Sequence, residues 1–254
     1  FAQVEFEAFK NVQTVFGIRY DVTAFMNGAA YNPTLENELG IDSSVKPADW
    51  NNIQPRLQMT WNVGGKNKDI LKFGAGLFSA QPHYYAQVNN IQNSGVMLAA
   101  VDVTGDLVPS PDFNSYRNDP STVPGVPEGA QTISTINAVA SDFQVPSTFK
   151  ANLNYNKYLN DRVRVGLNLL YTRTFNNYVY LERNLVDEPY FRLSNEANRG
   201  VFVPANTITN RGQTDWLNSR KSENLGRVLE LNSDGLAYQY ALVLDLGTRI
   251  GKDG

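Results

Sequence analysis

The chain has no cysteine. That excludes a disulfide framework and a thiolate metal centre. It has a single histidine, His83. A His-rich metal site or a Ser/His/Asp triad would rest on that residue alone, and no partner pattern accompanies it. No run of about 18 apolar residues occurs, so no transmembrane helix is encoded. Charge of one sign is not in excess. The 22 Lys and Arg against 25 Asp and Glu give a net charge of −3, without the basic footprint of a nucleic-acid binder. There is no Gly-rich phosphate loop and no nucleophile elbow. Gly74 and Gly76 lie in a strand pattern with no helix after it, which is not a dinucleotide fingerprint. Asp187-Glu188 and the dispersed Asp106, Asp112, Asp119 and Glu128 lack the Asp-x-Asp-x-Asp-Gly spacing of a calcium loop. No catalytic residue, metal ligand set or cofactor can be named, and the expectation is that the chain is not an enzyme.

What the sequence does contain is period-two alternation, the mark of a sheet with one apolar and one polar side. It is longest in the stretch 145–185. From Phe149 the first run sets Phe149, Ala151, Leu153 and Tyr155 against Lys150, Asn152, Asn154 and Asn156. After a turn at Leu159-Asn160-Asp161, the second sets Val163, Val165, Leu167, Leu169 and Tyr171 against Arg162, Arg164, Gly166, Asn168 and Thr172. Ile53 to Val63 alternates without a fault, with Arg56 among the polar positions. Ile70 to Ser79 puts Leu71, Phe73, Ala75 and Leu77 on one side, and Lys72, Gly74 and Gly76 on the other. Val12 to Met26 puts Phe16, Ile18, Tyr20 and Val22 opposite Gly17, Arg19, Asp21 and Thr23, after a first strand carrying Val4, Phe6 and Ala8. In Asn224 to Ile250 the apolar parity switches at Asn232-Ser233-Asp234-Gly235, which reads as a tight hairpin or as a bulged kink in one strand.

The connections alternate short and long. Lys10-Asn11, 64–69 and 159–161 are short. Asn27 to Asn52, Gln81 to Pro146 and Val186 to Ser222 are long and read as loops by their turn chemistry. The long excursion carries a short apolar run, Val96 to Val103. Short turns on one side and long loops on the other are the signature of an outer-membrane barrel. In lipid every backbone group must be paired, so the spanning sheet must close. The strand charges Arg19, Asp21, Arg56, Lys72, Arg162 and Arg164 all fall on the polar parity, which such a barrel turns to its lumen. Their expected role is pairing with one another or with residues inside the barrel, the alternative being that Arg162 and Arg164 attract anionic solutes. Trp61, in strand register near a short turn, is expected in a periplasmic aromatic girdle. Candidate ligand contacts fall in the long loops: Trp50, His83, Tyr84, Tyr85, Asn89, Asn90, Tyr190 and Trp216. Loop packing or the membrane interface is the commoner use of such aromatics. Neither end reads as a natural terminus, so a piece of a longer protein is expected.

Several motifs in order carry a resemblance. They are Gly17-Ile18-Arg19-Tyr20-Asp21, Gln54-Pro55-Arg56 leading to Trp61, Gly74-Ala75-Gly76-Leu77-Phe78, the stretch Asn89 to Gly95, and the 145–185 hairpin. Together the chain resembles the mid-barrel segment of TonB-dependent outer-membrane receptors of the Oar-like type. Gln54 and His83 stand where the family more often has Ser and Pro. The resemblance implies an all-β antiparallel transmembrane barrel of 22 strands. About seven or eight would lie here, with long extracellular loops, and residues 1–254 would be one part of that barrel domain. It also implies a bulge, not a hairpin, at Asn232–Gly235, with a descent to a periplasmic turn at Gly251. The implied partners are outer-membrane lipid, the receptor's own plug, and the TonB system that moves the plug to import a solute. An Oar-like role in adhesion, protein export or surface assembly, with surface lipoproteins or other outer-membrane complex subunits as partners, is the alternative. From the alternation alone, a soluble all-β carbohydrate-binding module remains a further one.

Overall fold

A computed structural model describes residues 1–98, 105–108, 112–122, 124–125 and 135–249. Glu128, Gly251 and most of the apolar run Val96 to Val103 lie outside the described residues. The chain forms one large sheet. Its strands are β1 (Ala2–Phe9), β2 (Val12–Ala24), β3 (Ala48–Val63), β4 (Asp69–Ser79), β5 (Ile136–Val139), β6 (Ser147–Tyr158), β7 (Val163–Glu182) and β10 (Val228–Thr248). The spatial order is β1-β2-β3-β4-β6-β7-β10-β5. Every neighbouring pair is antiparallel except β10 with β5. The expected all-β antiparallel architecture is the one observed.

Seven strands follow one another as up-and-down neighbours, so their short turns gather at one end and their long connections at the other. The turn after β1 uses Asn11 at φ 65, and the β3–β4 turn uses Gly64 and Gly65 at φ 76 and 70. These left-handed positions suit glycine and asparagine. In the β6–β7 turn, Asn160 Oδ1 accepts from the backbone of Arg162 and Val163 at 2.8 and 2.9 Å.

The long connections are more ordered than their turn chemistry suggests. Asn27 to Asn52 is not a loop throughout. It holds helix α1 (Pro33–Leu39) and the first residues of β3, and Trp50 is a strand residue. Asn32 caps α1 through its side chain, Pro33 takes the first turn, and Gly40 closes it at φ 68, a standard start and stop. Gln81 to Pro146 holds α2 (Tyr84–Gln92), α3 (Phe113–Asn118) and β5. Val186 to Ser222 holds the small hairpin β8 (Phe191–Leu193) and β9 (Arg199–Val201).

The last run is one strand, not a hairpin. β7 and β10 pair from Thr248↔Val163 up to Leu229↔Glu182, with register shifts around Gly235. The extra residues move the apolar parity from even positions below to odd positions above, which is what a bulge does. Asn177 O would lie 2.6 Å from a Cβ at Gly235, so only glycine passes there. Above the bulge, β5 pairs in parallel with β10 from Val228↔Ile136 to Leu231↔Val139. The excursion between β4 and β6 therefore crosses beyond β7 before it returns.

The core sits at this end, between the long connections and the loop-end residues of β5 and β10. Phe25, Ala86, Val139, Phe143, Val145 and Leu231 make one cluster with Tyr178 against it. Leu35, Ile41, Ile136, Ala138, Leu225 and Val228 make a second. Buried polar groups clamp it. Asn184 donates to the carbonyls of Leu225 and Gly226 at 2.9 and 2.8 Å and accepts from Ser222 N at 2.8 Å. Asp49 accepts from Val145 N at 2.8 Å.

Candidate functional site

The sheet has two uncovered faces, and the register decides what each can do. Directly paired residues share a face. The apolar rows run straight across the strands: Phe16↔Leu57↔Ala75↔Ala151↔Tyr171↔Tyr240, then Trp61↔Leu71↔Tyr155↔Leu167↔Leu244. These side chains are not covered. Tyr240, Leu244 and Leu246 are 76, 74 and 70 % exposed. The band is bounded at both ends. On the short-turn side Lys157 pairs with Asp69 at 3.5 Å, and the Tyr155 hydroxyl donates to Asp69 at 3.0 Å. On the other side stands Arg173, its guanidinium 4.9 Å from the Phe175 ring and 5.5 Å from that of Tyr238. Phe149 packs against Tyr171, which packs against Tyr240. Between Val165 and Arg173 that leaves about nine residues of β7, the length of one tilted membrane strand. Trp61 lies on this face.

The opposite face is polar. Arg19 Nε donates to Asp21 at 2.9 and 2.8 Å, Gln54 donates to the same carboxylate at 2.5 Å, and Arg56 donates to Gln54 at 3.3 Å. Arg164 pairs with Asp245 at 2.8 Å. Asn154, Asn156 and Asn168 form an amide ladder. Glycines make this face possible. Asp245 lies over Gly166, Asn152 over Gly74, and Arg56 with Phe78 over Gly76. Lys72 faces out from the same side, in register with Thr60 and Asn154. Arg162 sits in the turn just before β7 instead of in the strand, its carbonyl accepting from Arg249 N at 2.9 Å.

A cleft of about 530 Å³ opens where the polar face meets the loop end, lined by Arg19, Asp21, Gln54, Arg56, His83 and Tyr84 among others. His83 stacks on Tyr85 at 5.4 Å and meets the edge of Tyr178 at 5.6 Å, and Tyr178 stacks on Phe143. This ladder fixes α2 against the top of β7. Tyr85 and Asn89 line a separate cleft of about 210 Å³ with Tyr180. Burial pushes the Tyr180 phenol up to about 12, and the neighbouring Tyr85 adds to the shift. Asn90 is buried and donates to Asn137 O at 3.0 Å, so its amide braces β5. Trp50, Tyr190 and Trp216 are exposed and line neither cleft. The Trp50 carbonyl accepts from Tyr20 at 2.8 Å, and the Arg220 guanidinium lies 3.1 Å from the centroid of Trp216. Sequence reasoning gave no site role to Phe78 or Lys150. Phe78 carries a legible signal, because it shares the parity of Gly74 and Gly76 and so puts an aromatic ring on the polar side.

No ion-binding cluster of three or more His, Asp or Glu occurs among the described residues. Asp187 is paired with Lys221 at 2.5 Å.

No protein-family model and no curated protein matches the sequence. Among solved structures, the chain is similar to the outer membrane transporter YddB from Escherichia coli (12 % identity, 94 % of this chain and 20 % of that one, TM-score 0.48). It is also similar to the siderophore receptor PirA from Acinetobacter baumannii (12 %, 98 % and 25 %, TM-score 0.47) and from Pseudomonas aeruginosa (11 %, 99 % and 31 %, TM-score 0.43). The chain spans between about a fifth and a third of the length of these proteins.

Proposed function

We propose that the chain is part of the wall of an Oar-like, TonB-dependent receptor barrel in a bacterial outer membrane, and that the whole protein imports a solute. The observation that carries this reading is the uncovered apolar face, continuous across seven strands and about one membrane strand tall, with charged and aromatic groups at its two limits. An exposed apolar surface of this extent needs an apolar partner, and acyl chains satisfy every strand alike. The polar face then lines the lumen. The short turns face the periplasm, and the clamped loops form the extracellular rim where solute is captured. The resemblance supplies the plug in the lumen and the TonB system that moves it. The wall itself does no covalent chemistry. Its part is to hold a polar passage in hydrocarbon and to present the rim.

The test compares the two faces in the full-length protein, refolded into liposomes and titrated with urea. Leu169→Arg, mid-band and paired with Leu153 and Leu242, is expected to cost about 2–4 kcal/mol. Gln58→Arg, on the polar face opposite Gly74, is expected to cost under about 1 kcal/mol, within the range of ordinary surface changes. Equal costs, or a full-length protein that stays monodisperse in water without detergent, overturn the reading.

A further inference from the structure

The cations of the polar face are not all alike. Arg19 has Asp21, and Arg164 has Asp245. Lys72 stands exposed, away from both clefts of this face. Arg56 and Lys150 are different. They lie in one register row on either side of Gly76, Arg56↔Gly76↔Lys150, and both reach the ring of Phe78. Arg56 Cζ is 4.5 Å and Lys150 Nζ 5.6 Å from its centroid, so the two charges are at most about 10 Å apart. Neither makes a direct ion pair with a carboxylate among the described residues; Arg56 reaches Asp21 only through Gln54. Arg56 spends one nitrogen on Gln54, and its Nε is buried without a hydrogen-bond partner.

Glycine at 76 permits this packing. A Cβ there would sit 3.1 Å from the Phe78 ring and 3.2 Å from both Arg56 Cγ and the Pro55 carbonyl oxygen, so any side chain would press on the ring and on the Arg56 stem. Arg56 and Phe78 form the shared wall of the 530 Å³ cleft and of a second one of about 360 Å³, whose lining includes Lys150, Gln58 and Asn152. With Arg19 neutralised by Asp21, the fixed charge left at this wall is two positive groups. Like charges this close repel within a Debye length. A planar guanidinium beside an ammonium, both lining one cleft, suits an oxyanion.

We propose that Arg56 and Lys150 bind an oxyanion group, a carboxylate or a phosphate, carried by a solute in the lumen or by another segment of the same polypeptide. Phe78 holds the two cations in place, Gly76 lets its ring and the Arg56 stem lie flat on the sheet, and the 360 Å³ cleft that both cations line leaves room for the anion. The proposal rests on reading the polar face as a lumen wall.

The experiment uses the full-length protein in detergent, with citrate as the probe, followed by calorimetric titration and by thermal melting. For a solute anion, wild type binds citrate. Arg56→Gln and Lys150→Gln each weaken binding at least tenfold, Arg56→Lys recovers only part of it because an ammonium lacks the planar fork, and Lys72→Gln stays within twofold. For an internal carboxylate, citrate does not bind. Each single variant then lowers the melting temperature, and the double variant lowers it no further than the worse single one. Citrate binding that is indifferent to both residues overturns the site. So does no binding with melting unchanged, raised or lowered additively by the substitutions. Either failure in a protein that still inserts into membranes removes the anion site alone, whereas solubility without detergent removes the barrel reading beneath it.

Discussion

Single residues decide whether a polar face this crowded can exist. Gly166 stands in β7 between Asn156 and Asp245, and the Asp245 carboxylate that pairs with Arg164 lies where its Cβ would be. Alanine in a strand is ordinarily better than glycine by about 0.5–1 kcal/mol. Here the sign reverses. Gly166→Ala must push Asp245 off Arg164, and overpacking of this kind costs about 1–3 kcal/mol. In an Asp245→Ala background the obstruction is gone, and the same substitution is expected to be neutral or mildly stabilising. Urea midpoints of the four proteins in one double-mutant cycle check this. An unchanged cost in the Asp245→Ala background would show that the clash is not the cause. The alternation revealed that Gly166 faces the polar side. It could not reveal which neighbour's side chain would lie across it, because that depends on cross-strand register, and register is set by three turns at once. Asn90 and Asn184 were illegible for a related reason. An asparagine in a long connection has the same local signature whether it faces solvent or, like Asn184, clamps carbonyls some 40 residues away.

At the level of elements, the seven long strands and the three short turns could be read from the sequence because period two and turn chemistry are local. The bulge in β10 announced itself as a parity switch, and the structure resolves it as one strand because β7 continues alongside it through Glu182. What was not legible lies in the long connections. α1 is seven residues long, too short for a helical period to stand out, and β5 is a four-residue strand whose pairing partner lies about 90 positions on. These elements persist through clasps between loops. Glu38, near the end of α1, accepts from the Ser222 hydroxyl and from Asn224 Nδ2, the latter at 2.7 Å. Those two hydrogen bonds hold its carboxyl below the usual carboxylate range. A group whose pKa is lowered on folding contributes stability above its unfolded value, and that contribution is lost as pH falls through the folded one. The clasp between α1 and 221–226 is therefore expected to hold at neutral pH and to loosen below about pH 4.5, the ordinary glutamate range. Amide exchange in 221–226, corrected for intrinsic rates and followed from pH 6 to 3, should lose protection in that window. Glu38→Gln should flatten the dependence. A wild-type profile without a step there would mean that the clasp does not govern this segment.

At the scale of the whole molecule the core and the sheet have parted company. In a soluble sandwich the apolar faces of two sheets meet and make the core. Here the buried clusters lie among the long connections and the loop-end residues of β5 and β10, and the rest of the sheet keeps a bare apolar side. The two free edges make the same point. Among the described residues β1 has no neighbour beyond it, and β10 has none below the stretch where β5 covers it, so both edges carry unpaired backbone groups. The alternating lengths of the connections made this arrangement legible, since they sort the loops to one end before any contact is known. Tryptophan position turns it into a measurement. Trp61 is on the apolar face, in register with Leu71 and Val12, close to the turn at Gly64, whereas Trp216 is in a 3₁₀ turn of the opposite end, under the Arg220 guanidinium. In liposomes containing lipids brominated near the headgroup end of the acyl chain, the Trp61→Phe variant of the full-length protein should lose part of the quenching seen in wild type. Trp216→Phe should leave the quenched fraction unchanged or raise it, because an unquenched emitter is removed. Shifting the bromines toward the bilayer centre should shrink the Trp61 contribution, because a girdle residue sits at the edge of the hydrocarbon. Quenching that depends on Trp216, or on neither residue, would place the band of lipid contact somewhere other than this face.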